Sequence, residues 1–581
     1  MNAIQDWIRG HAIQLTTVEA GNGFADLEPL GRVIGDARIV SLGEATHGTR
    51  EFFQLKHRLL EYCVSELGFT VFGIEASYPE CLRINDYVLD GRGDPAGALA
   101  GQRFWTWDTE EVLALVEWLR GWNLTHDRKV KFYGFDMQSP GGAAAAALDY
   151  LRRVAPGMVV ESERDLWPLL TDLTTDRFRF LPEATRERAL SRARQILEAF
   201  DQEKEGWAAR TGAHAWQLAR LNAVVLNQFR PETNRDIAMA ENVAALLDIE
   251  GPGAKAVLWA HNGHVARESD YVEADKTPIP NMGTRLHELF GTRHLVVGFA
   301  FNEGSFQAVE FSKGLIDHTV GPAAEGSLDH GLASADIPIF LLDLATAPAS
   351  GPVNDWLASR PKSRWIGAVY AEDRAADLMV SNDPRRAYDI LAFVDKTNAA
   401  RGMPTGKRPF HAERKLLNPQ PVNLGLESSG LIPAGWHRPG AGRPHEHRIE
   451  VVTDGAEPRA LQIARKGAPW LWGDGRLEQT FAAAPWHGKR LCFSAFVRAE
   501  TKGPQSGAQL YIELRPEVAE EMIWRIPPAE AAMLDGLVRD PDWRRYAIAI
   551  DVTEATHSIT VGMAFSGDGS GWFRELKLES G

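Results

Sequence analysis

The sequence predicts an α/β protein in which a central, mostly parallel sheet is flanked by helices, with a helical insertion and a C-terminal β-sandwich. Two observations over roughly the first 400 residues predict the sheet. Short apolar runs alternate with long helical patterns, and the runs are almost continuously hydrophobic, as in strands that helices cover on both faces. Short strand-like runs separated by turn signals replace this alternation near the C-terminus and predict the sandwich.

Seven apolar runs are candidate strands of the central sheet. The segments between them have helical periodicity, and residues 107–123 are a clear example. There Asp108 precedes Glu111 as in a capping box, and apolar residues follow from Val112 at i, i+3, i+4 and i+7. In chain order the candidate strands are 37–44, 69–76, 130–137, 254–262, 294–301, 337–344 and 387–395.

Composition divides the chain into three predicted parts. Residues 1–405 form the α/β domain, in which about 155–232 are helical throughout and are expected to form a cap beside the sheet. Residues 406–422 are rich in proline and basic residues, as expected for a linker. Residues 423–581 form a sandwich that looks like a jelly-roll carbohydrate-binding domain. Its candidate sugar-stacking residues are Trp436, Trp470, Trp472, Trp543 and Trp572, the last of which is also expected to be buried.

Bulk properties exclude several classes of protein. The chain has 581 residues and a formal net charge of −15, which argues against non-specific binding of nucleic acid or anionic membranes. Its three cysteines are far apart and form no CxxC pair, so neither a disulfide framework nor a thiolate zinc site is expected. The N-terminus lacks a signal-peptide pattern, and no window has the length and hydrophobicity of a membrane span. We therefore expect a cytoplasmic protein.

Ionisable side chains follow four of the predicted strands at their carboxyl ends. Ligands of open parallel α/β sheets bind in the crevice outside these ends. A single carboxylate after a strand is commonly a helix N-cap, and a single histidine is commonly structural. Four strands that end in this way at one edge of a sheet indicate an active site instead. The residues are Glu44, His47, Glu75, Asp136, His261 and His264.

One helical pattern adds two polar residues to these candidates. Arg235, Met239, Asn242 and Leu246 recur at i, i+4, i+7 and i+11 and therefore share one face of a helix. Because apolar core positions lie on the same face, Arg235 and Asn242 are expected to point inward at polar partners. The alternative is that both side chains are solvated.

The absence of several catalytic motifs from the sequence limits the types of reaction that it could catalyse. It contains no GxSxG elbow, no Walker loop and no HExxH, so serine nucleophiles, phosphate cradles and that zinc motif are unsupported. The segment "HNGH" is an HxxH pair, which can bind a divalent metal when a carboxylate assists, although its spacing is a weak signal. What remains is an imidazole beside carboxylates, which can take a proton from water at neutral pH. This combination favours hydrolysis by activated water.

Six segments, taken in order, resemble the erythromycin esterase family over about residues 10 to 400: "LGEATHGTREF", "FGIEASYPE", "YGFDMQ", "NRDIAMAENV", "VLWAHNGHV" and "NMGTRL". The resemblance implies a central sheet flanked by helices, with a helical lobe over the cleft. It also implies that His47 is the general base that activates water to attack a lactone carbonyl, without a required cofactor. Glu44 and Glu75 would belong to the polar cluster around it, and His261 and His264 would face them.

The chain departs from the family pattern at one position. Lys56 stands where the family often carries an arginine, and a lysine cannot make the two-pronged contact of a guanidinium. Arg50, one or two turns earlier, could replace it. The predicted substrate-binding residues are Arg50, Lys56, Asp136, Arg235, Asn242 and Trp105.

Three functions stay open at this point. The first is hydrolysis of a macrolide lactone or related ester, whose small-molecule substrate could carry sugars. The second is a divalent-metal-dependent hydrolase that uses Glu44, His47, His261 and His264 as ligands. The third is a non-catalytic accessory protein for a polysaccharide or other secondary metabolite.

Overall fold

The protein is described from a computed structural model. The description covers residues 2–102, 104–170, 178, 183–230, 232–268, 280–310, 314–403, 420–427, 432–437, 447–453, 459–465, 474–503, 506–516 and 530–581. Internal packing divides the chain into two compact units. The first comprises Met1–Met137 with Glu232–Ala412, and the second comprises Gln138–Pro231 with Glu413–Gly581. Most of the predicted linker falls within 404–419, outside the described residues, so the predicted boundaries at 405 and 422 stay predictions.

The strands of the first unit are β1 (Ala12–Gln14), β2 (Ile39–Leu42), β3 (Val71–Ser77), β4 (Lys131–Asp136), β5 (Ala256–Trp259), β6 (His294–Glu310), β7 (Gly314–Val320), β8 (Ile339–Asp343), β9 (Lys362–Arg364), β10 (Met379–Ser381) and β11 (Ile390–Thr397). Nine of them form one sheet in the order β1-β8-β11-β6-β2-β5-β3-β4, with β7 paired to β6. Neighbouring strands from β11 to β4 are parallel, whereas the β11–β8, β8–β1 and β6–β7 pairings are antiparallel.

The predicted fold class is confirmed, and each of the seven apolar runs contains a strand of this sheet. The sheet is mixed at one side, because the run at 337–344 forms β8, which lies antiparallel to β11. An apolar run indicates that a strand is buried, but it does not indicate whether the strand runs parallel or antiparallel to its neighbour. The composition of residues 337–344 therefore gave no sign of this reversal. β6 also extends beyond the predicted run and pairs with β7 as a hairpin.

The helices of the described residues are α1 (Asn2–His11), α2 (Glu28–Ile34), α3 (Arg50–Ser65), α4 (Tyr78–Asp90), α5 (Pro95–Gly101), α6 (Glu110–Thr125), α7 (Pro140–Val154), α8 (Val159–Leu170), α9 (Glu183–Gln202), α10 (Lys204–Thr211), α11 (Ala213–Gln228), α12 (Arg235–Glu250), α13 (Asn262–Val265), α14 (Met282–Phe290), α15 (Leu328–Ala333), α16 (Pro352–Ala358) and α17 (Pro384–Ala387). Short 3-10 turns cover Ala25–Leu27, Pro156–Met158, Gly291–Arg293, Leu344–Thr346, Glu372–Leu378 and Ala484–Trp486.

Helix α6 shows how local sequence sets these elements. Its N-cap is Thr109, whose hydroxyl accepts the N–H of Val112, and not Asp108 as the capping-box pattern suggested. The predicted apolar stripe from Val112 to Leu119 is fully buried. Helix α3 is buried along almost its whole length, and its phenylalanines pack in the core of the first unit. These helices hold the carboxyl ends of β2 and β3 in place.

The second unit contains helices α7 to α11 and two antiparallel sheets. The strands are β12 (His447–Val452), β13 (Ala460–Arg465), β14 (Asp474–Ala482), β15 (Arg490–Thr501), β16 (Gly507–Pro516), β17 (Glu530–Met533), β18 (Arg544–Asp551), β19 (Thr556–Ser566) and β20 (Gly569–Ser580). One sheet has the order β12-β13-β20-β15-β18, and the other has the order β14-β19-β16-β17. Apolar side chains of both sheets share one core, which confirms the predicted β-rich C-terminal part.

Two of the five tryptophans proposed to stack on sugars are unsuited to that role. Trp436 and Trp572 are buried, so neither ring offers a free face. The ring of Trp543 lies near two guanidinium groups, those of Arg574 at 4.2 Å and Arg498 at 5.4 Å. Trp470 and Trp472 lie outside the described residues. Among the described residues, no helix is long and apolar enough to cross a membrane.

Candidate active site

The loop between β2 and α3 carries Glu44 and His47. Nδ1 of His47 lies 2.7 Å from Oε1 of Glu44. The loop is held by backbone bonds to neighbouring segments, since the Gly48 carbonyl accepts the N–H of Gln307 at 2.9 Å. A side chain at Gly48 would collide with that backbone, so the glycine permits the close approach. The loop therefore fixes the imidazole and the carboxylate together.

The hydrogen bond to Glu44 determines which nitrogen of His47 is available. A carboxylate accepts only, so Nδ1 carries the proton and Nε2 of the neutral ring has a free lone pair. In the part of the chain that the structure describes, Nε2 has no hydrogen-bond partner. The His47 side chain is 12% exposed, whereas Glu44 is completely buried. The imidazole of His47 is thus partly accessible, whereas the carboxylate that orients it is not.

The second oxygen of Glu44 is held from behind by Lys56 and Trp259. Nζ of Lys56 lies 2.6 Å from Oε2, and Nε1 of Trp259 lies 2.8 Å from it. The ammonium group also lies 4.4 Å from the centre of the Trp259 ring. Burial lowers the pKa of Lys56 to about 8, although Glu44 opposes this effect. Lys56 is completely buried and supports Glu44; its contact with substrate stays a prediction.

His261 packs against His47, with the two ring centres 5.0 Å apart. It is the N-cap of α13, and its Nδ1 accepts the N–H of Gly263 at 3.1 Å. Burial lowers the pKa of His261 well below the usual value, and the nearby imidazoles of His47 and His264 lower it further. The ring is therefore neutral and carries its proton on Nε2. This buried Nε2–H has no partner among the described residues.

His264 differs from His261 because carboxylates face both of its nitrogens. Nδ1 lies 2.8 Å from Asp236, and Nε2 lies 3.2 Å from Oε1 of Glu75. Burial opposes the charged form, but these two carboxylates raise the pKa of His264 to about 10. His264 is therefore a fixed cation at neutral pH. The same ion pair, together with Arg235, holds the pKa of Glu75 well below its usual value despite its burial.

Arg235 connects the ends of β3 and β4. Its Nη2 lies 2.8 Å from Glu75 and 2.7 Å from Asp136. The ladder between β3 and β4 changes register next to Glu75, an irregularity that turns a side chain out of the normal alternation. Asn242 points inward as its helical stripe predicts and donates to the Phe135 carbonyl at 3.0 Å. Asp136 and Asn242 are buried and hold the cluster together; their contact with substrate stays a prediction.

The remaining two predicted binding residues lie at the margin of this cluster. The Nε atom of Arg50 lies 3.6 Å from Glu111, so the structure pairs it with α6. Trp105 is half-buried. The aromatic ring next to His47 belongs to the neighbouring Trp107 and not to the predicted Trp105. The ring of Trp107 meets His47 edge-on with centres 5.8 Å apart, and its Nε1 donates to the Glu75 carbonyl at 2.9 Å.

Three residues of the site were not predicted: Trp107, Asp236 and Trp259. Asp236 and Trp259 stand inside the segments "NRDIAMAENV" and "VLWAHNGHV", so the signal was their position next to Arg235 and the HxxH pair. Asp236 lies off the inward stripe of α12, which is why periodicity passed over it. Trp259 has the sequence pattern of an ordinary apolar strand residue, because the hydrogen bond from its indole N–H to Glu44 forms only in the folded protein.

Seven charged side chains lie around His47 and His261. Three cations stand against four carboxylates, which leaves one negative charge uncompensated while His47 is neutral. The cations are Lys56, Arg235 and His264, and the carboxylates are Glu44, Glu75, Asp136 and Asp236.

The proposed set of metal ligands does not converge. Both oxygens of Glu44 accept hydrogen bonds, and both nitrogens of His264 face carboxylates. Over the residues that the structure describes, no group of three or more His, Cys, Asp and Glu side chains has the arrangement of a metal site. These contacts instead suit acid–base chemistry by a single histidine.

An imidazole hydrogen-bonded to a buried carboxylate thus lies at the carboxyl ends of parallel strands, where the ligands of open α/β sheets bind. Comparison with known proteins names the class. The chain belongs to the erythromycin esterase family, a family of ester hydrolases, whose sequence profile matches residues 64–397. This match covers the strands and loops that carry Glu75, Arg235 and the HxxH pair.

Individual relatives agree with this assignment. The Bacillus subtilis protein YbfO, which carries a hydrolase name, is 25% identical over 365 residues, or 58% of this chain and 80% of its own. Erythromycin esterase type II of Escherichia coli is 32% identical over 140 residues, or 24% of this chain and a third (33%) of that esterase. A Bacillus cereus protein of known crystal structure is 26% identical with a TM-score of 0.62, covering 69% of this chain and 99% of its own.

Proposed function

We propose that this protein hydrolyses a macrolide lactone or a closely related ester with a water molecule that His47 activates. The observation that carries the proposal is the 2.7 Å bond between Nδ1 of His47 and Glu44. It leaves Nε2 as the basic atom and places a carboxylate where it stabilises the imidazolium.

The reaction follows from this geometry. Nε2 of His47 takes a proton from water while the water oxygen attacks the carbonyl carbon and forms a tetrahedral intermediate. When the intermediate collapses, the bond between the carbonyl carbon and the ester oxygen breaks. The proton on His47 passes to the leaving alkoxide, so the products are a carboxylate and an alcohol, on one molecule when the substrate is a lactone.

His261 is proposed as the donor that receives the charge formed on the carbonyl oxygen. It is neutral, and its Nε2–H has no partner among the described residues. In this structure the atom is covered from solvent, so the proposal requires local movement when a substrate enters. A donor already oriented before the reaction stabilises an oxyanion without reorganisation. The neighbouring cation His264 is held by two carboxylates and adds a fixed positive charge.

The substrate class rests on the family and on the Escherichia coli relative named erythromycin esterase type II. Macrolides are large lactones that commonly carry sugars, so the substrate proposed here is a glycosylated small molecule. The decisive experiment incubates the purified full-length protein with a panel of macrolides and simple lactones and follows each by mass spectrometry. We expect at least one macrolide to gain one water, and the His47→Ala variant to produce no such gain. Hydrolysis of simple lactones or esters alone would overturn the macrolide assignment.

A further inference from the structure

Strand β3 is irregular at the point where it reaches the active site. Its pairing with β4 is regular as far as Ile74 and resumes at Ser77, and over this interval β3 has one residue more than β4. The extra residue makes a β-bulge that includes Glu75 and Ala76. Bulges next to functional sites redirect side chains, and this one lies at the carboxylate that faces the inner histidines of the site.

Gly134 of β4 leaves room for the bulge. A Cβ atom at this position would collide with the carbonyl oxygens of Ala76 and Ser77. Only a residue without a side chain lets the backbone of β3 approach so closely. The bulge is therefore a built feature of the β3–β4 pair.

The bulge presents the carboxylate of Glu75 to three groups on other elements. Its Oε2 accepts the backbone N–H of His261 at 2.9 Å. Its Oε1 lies 2.8 Å from Nη2 of Arg235 and 3.2 Å from Nε2 of His264. Through the first of these bonds, Glu75 fixes the backbone of the residue that is proposed above as the oxyanion donor.

The carbonyl oxygen of Glu75 accepts a hydrogen bond from the indole of Trp107. The distance from Nε1 is 2.9 Å, and Trp107 is 2% exposed. The ring is itself fixed, because it meets Trp259 edge-on with centres 5.5 Å apart and packs on Phe53 at 6.0 Å. Loss of a buried donor leaves its acceptor without that partner, which is unfavourable. Residue 75 is thus held at its backbone by Trp107 and at its carboxylate by the three groups named above.

We propose that Trp107 is a positioning residue, whose indole N–H holds the bulge of β3 and thereby keeps the carboxylate of Glu75 against His261 and His264. The ring of Trp107 also meets His47 edge-on, so the N–H and the ring have separable effects. The catalytic part of this inference rests on the function proposed above, whereas the part that concerns the bulge does not.

Two variants of the full-length protein separate the N–H from the ring. Trp107→Phe keeps an aromatic ring and removes the N–H. Incorporation of benzothienylalanine at position 107 replaces the N–H by sulfur at nearly the same size. The control is Trp122→Phe on α6, which removes an indole N–H that donates to the Arg128 carbonyl at 3.1 Å. In crystal structures we expect both variants at position 107 to lose the bond between Glu75 and the His261 N–H, and the control to keep it. An unmoved Glu75 carboxylate in both variants would overturn the proposal.

Kinetics with a hydrolysed ester measure the effect on catalysis. We expect Trp107→Phe to lower kcat on the order of tenfold with KM nearly unchanged, because a misplaced catalytic group affects the transition state. In a Glu75→Gln background the same substitution should lower kcat by about twofold or less, since residues that act through one contact are not additive. The control should match the wild type.

Two kinetic results would overturn the positioning role. One is wild-type kcat in Trp107→Phe, and the other is an equal loss with and without the Glu75 carboxylate, which would mean that Trp107 acts by packing alone. Wild type that hydrolyses no ester would refute the proposed function, while the crystal structures would still decide whether Trp107 holds the bulge.

Discussion

Nζ of Lys56 lies 2.6 Å from Oε2 of Glu44, and both side chains are completely buried. The other oxygen of the same carboxylate is bonded to His47, so one ion pair stabilises the fold and orients the proposed base. These two roles can be separated by mutation. The stability of the fold requires that neither Lys56 nor Glu44 is left charged without its partner, whereas the proposed catalysis requires the carboxylate of Glu44 itself.

The first prediction concerns this pair. Glu44→Gln leaves the Lys56 ammonium buried without its counter-ion, so we expect it to lower the free energy of unfolding by about 3–5 kcal/mol. The double variant Glu44→Gln/Lys56→Met should recover most of that stability, yet kcat should stay low in both. Urea unfolding and steady-state kinetics of the full-length protein measure the two effects.

A control comes from a second ion pair of the same unit, in which Arg58 is buried and Asp26 is partly buried. Arg58 and Asp26 lie 2.5 Å apart and have no contact with the histidines in the described structure. Asp26→Asn should lower stability without changing kcat at a temperature where the protein is folded. If the Glu44/Lys56 double variant regained wild-type turnover, Glu44 would be only a structural partner of Lys56.

The second prediction concerns His261 as an oxyanion donor. His261→Phe keeps a flat ring but removes Nε2–H, so we expect kcat to fall by about 10²–10³ with little change in KM. His261→Asn, whose amide can donate, should retain more activity. The control His294→Gln alters another buried histidine, which begins β6 at the opposite end of the sheet and is bonded to Ser41. Equal losses in His261→Phe and His261→Asn would argue against a donor role.

The third prediction concerns the pH dependence of stability. Glu75 and Asp236 raise the pKa of His264 to about 10 in the folded protein, against about 6.5 in an unfolded chain. The folded state therefore holds this proton more tightly, and its contribution to stability is complete below pH 6.5 and is lost as pH rises towards 10. Relative to His264→Gln, wild type should have its largest advantage in melting temperature near pH 6 and lose it by pH 10. A constant difference across this range would mean that His264 is not a fixed cation.

Much of the fold could be predicted because its signals are local. Continuous apolar runs mark strands covered on both faces, and an ionisable residue at the end of each run marks the carboxyl edge of a parallel sheet. These two signals were enough to predict that Glu44, His47, Glu75 and the HxxH pair lie close together. The direction of β8 could not be read, because its run is buried whichever way it lies.

The partners of the site residues were harder to predict, because they depend on tertiary packing. Lys56 lies on a helix that is buried nearly all round, so its sequence neighbours give no hint that its ammonium group meets Glu44. Trp105 and Trp107 are equally plausible from sequence, and only the turn between them decides which ring meets His47.

The fourth prediction separates histidine catalysis from metal catalysis. If His47 alone activates water, exhaustive dialysis against EDTA should leave kcat and KM unchanged, because no proposed step requires a metal. The matched measurement adds zinc or manganese back to the dialysed protein. Loss of activity on dialysis, restored by either metal, would favour the alternative in which Glu44 and the histidines act as ligands.

The most direct test of the central claim is chemical rescue of His47→Ala, measured as single-turnover hydrolysis of the substrate found in the macrolide panel. We expect the rate to fall by about 10²–10⁴ and the protein to melt as the wild type does. Added imidazole should restore part of the rate in proportion to its concentration, since it can occupy the vacated space and take the proton from water. Retention of more than a tenth of the wild-type rate, or a low rate that imidazole leaves unchanged, would contradict the assignment of His47 as the base.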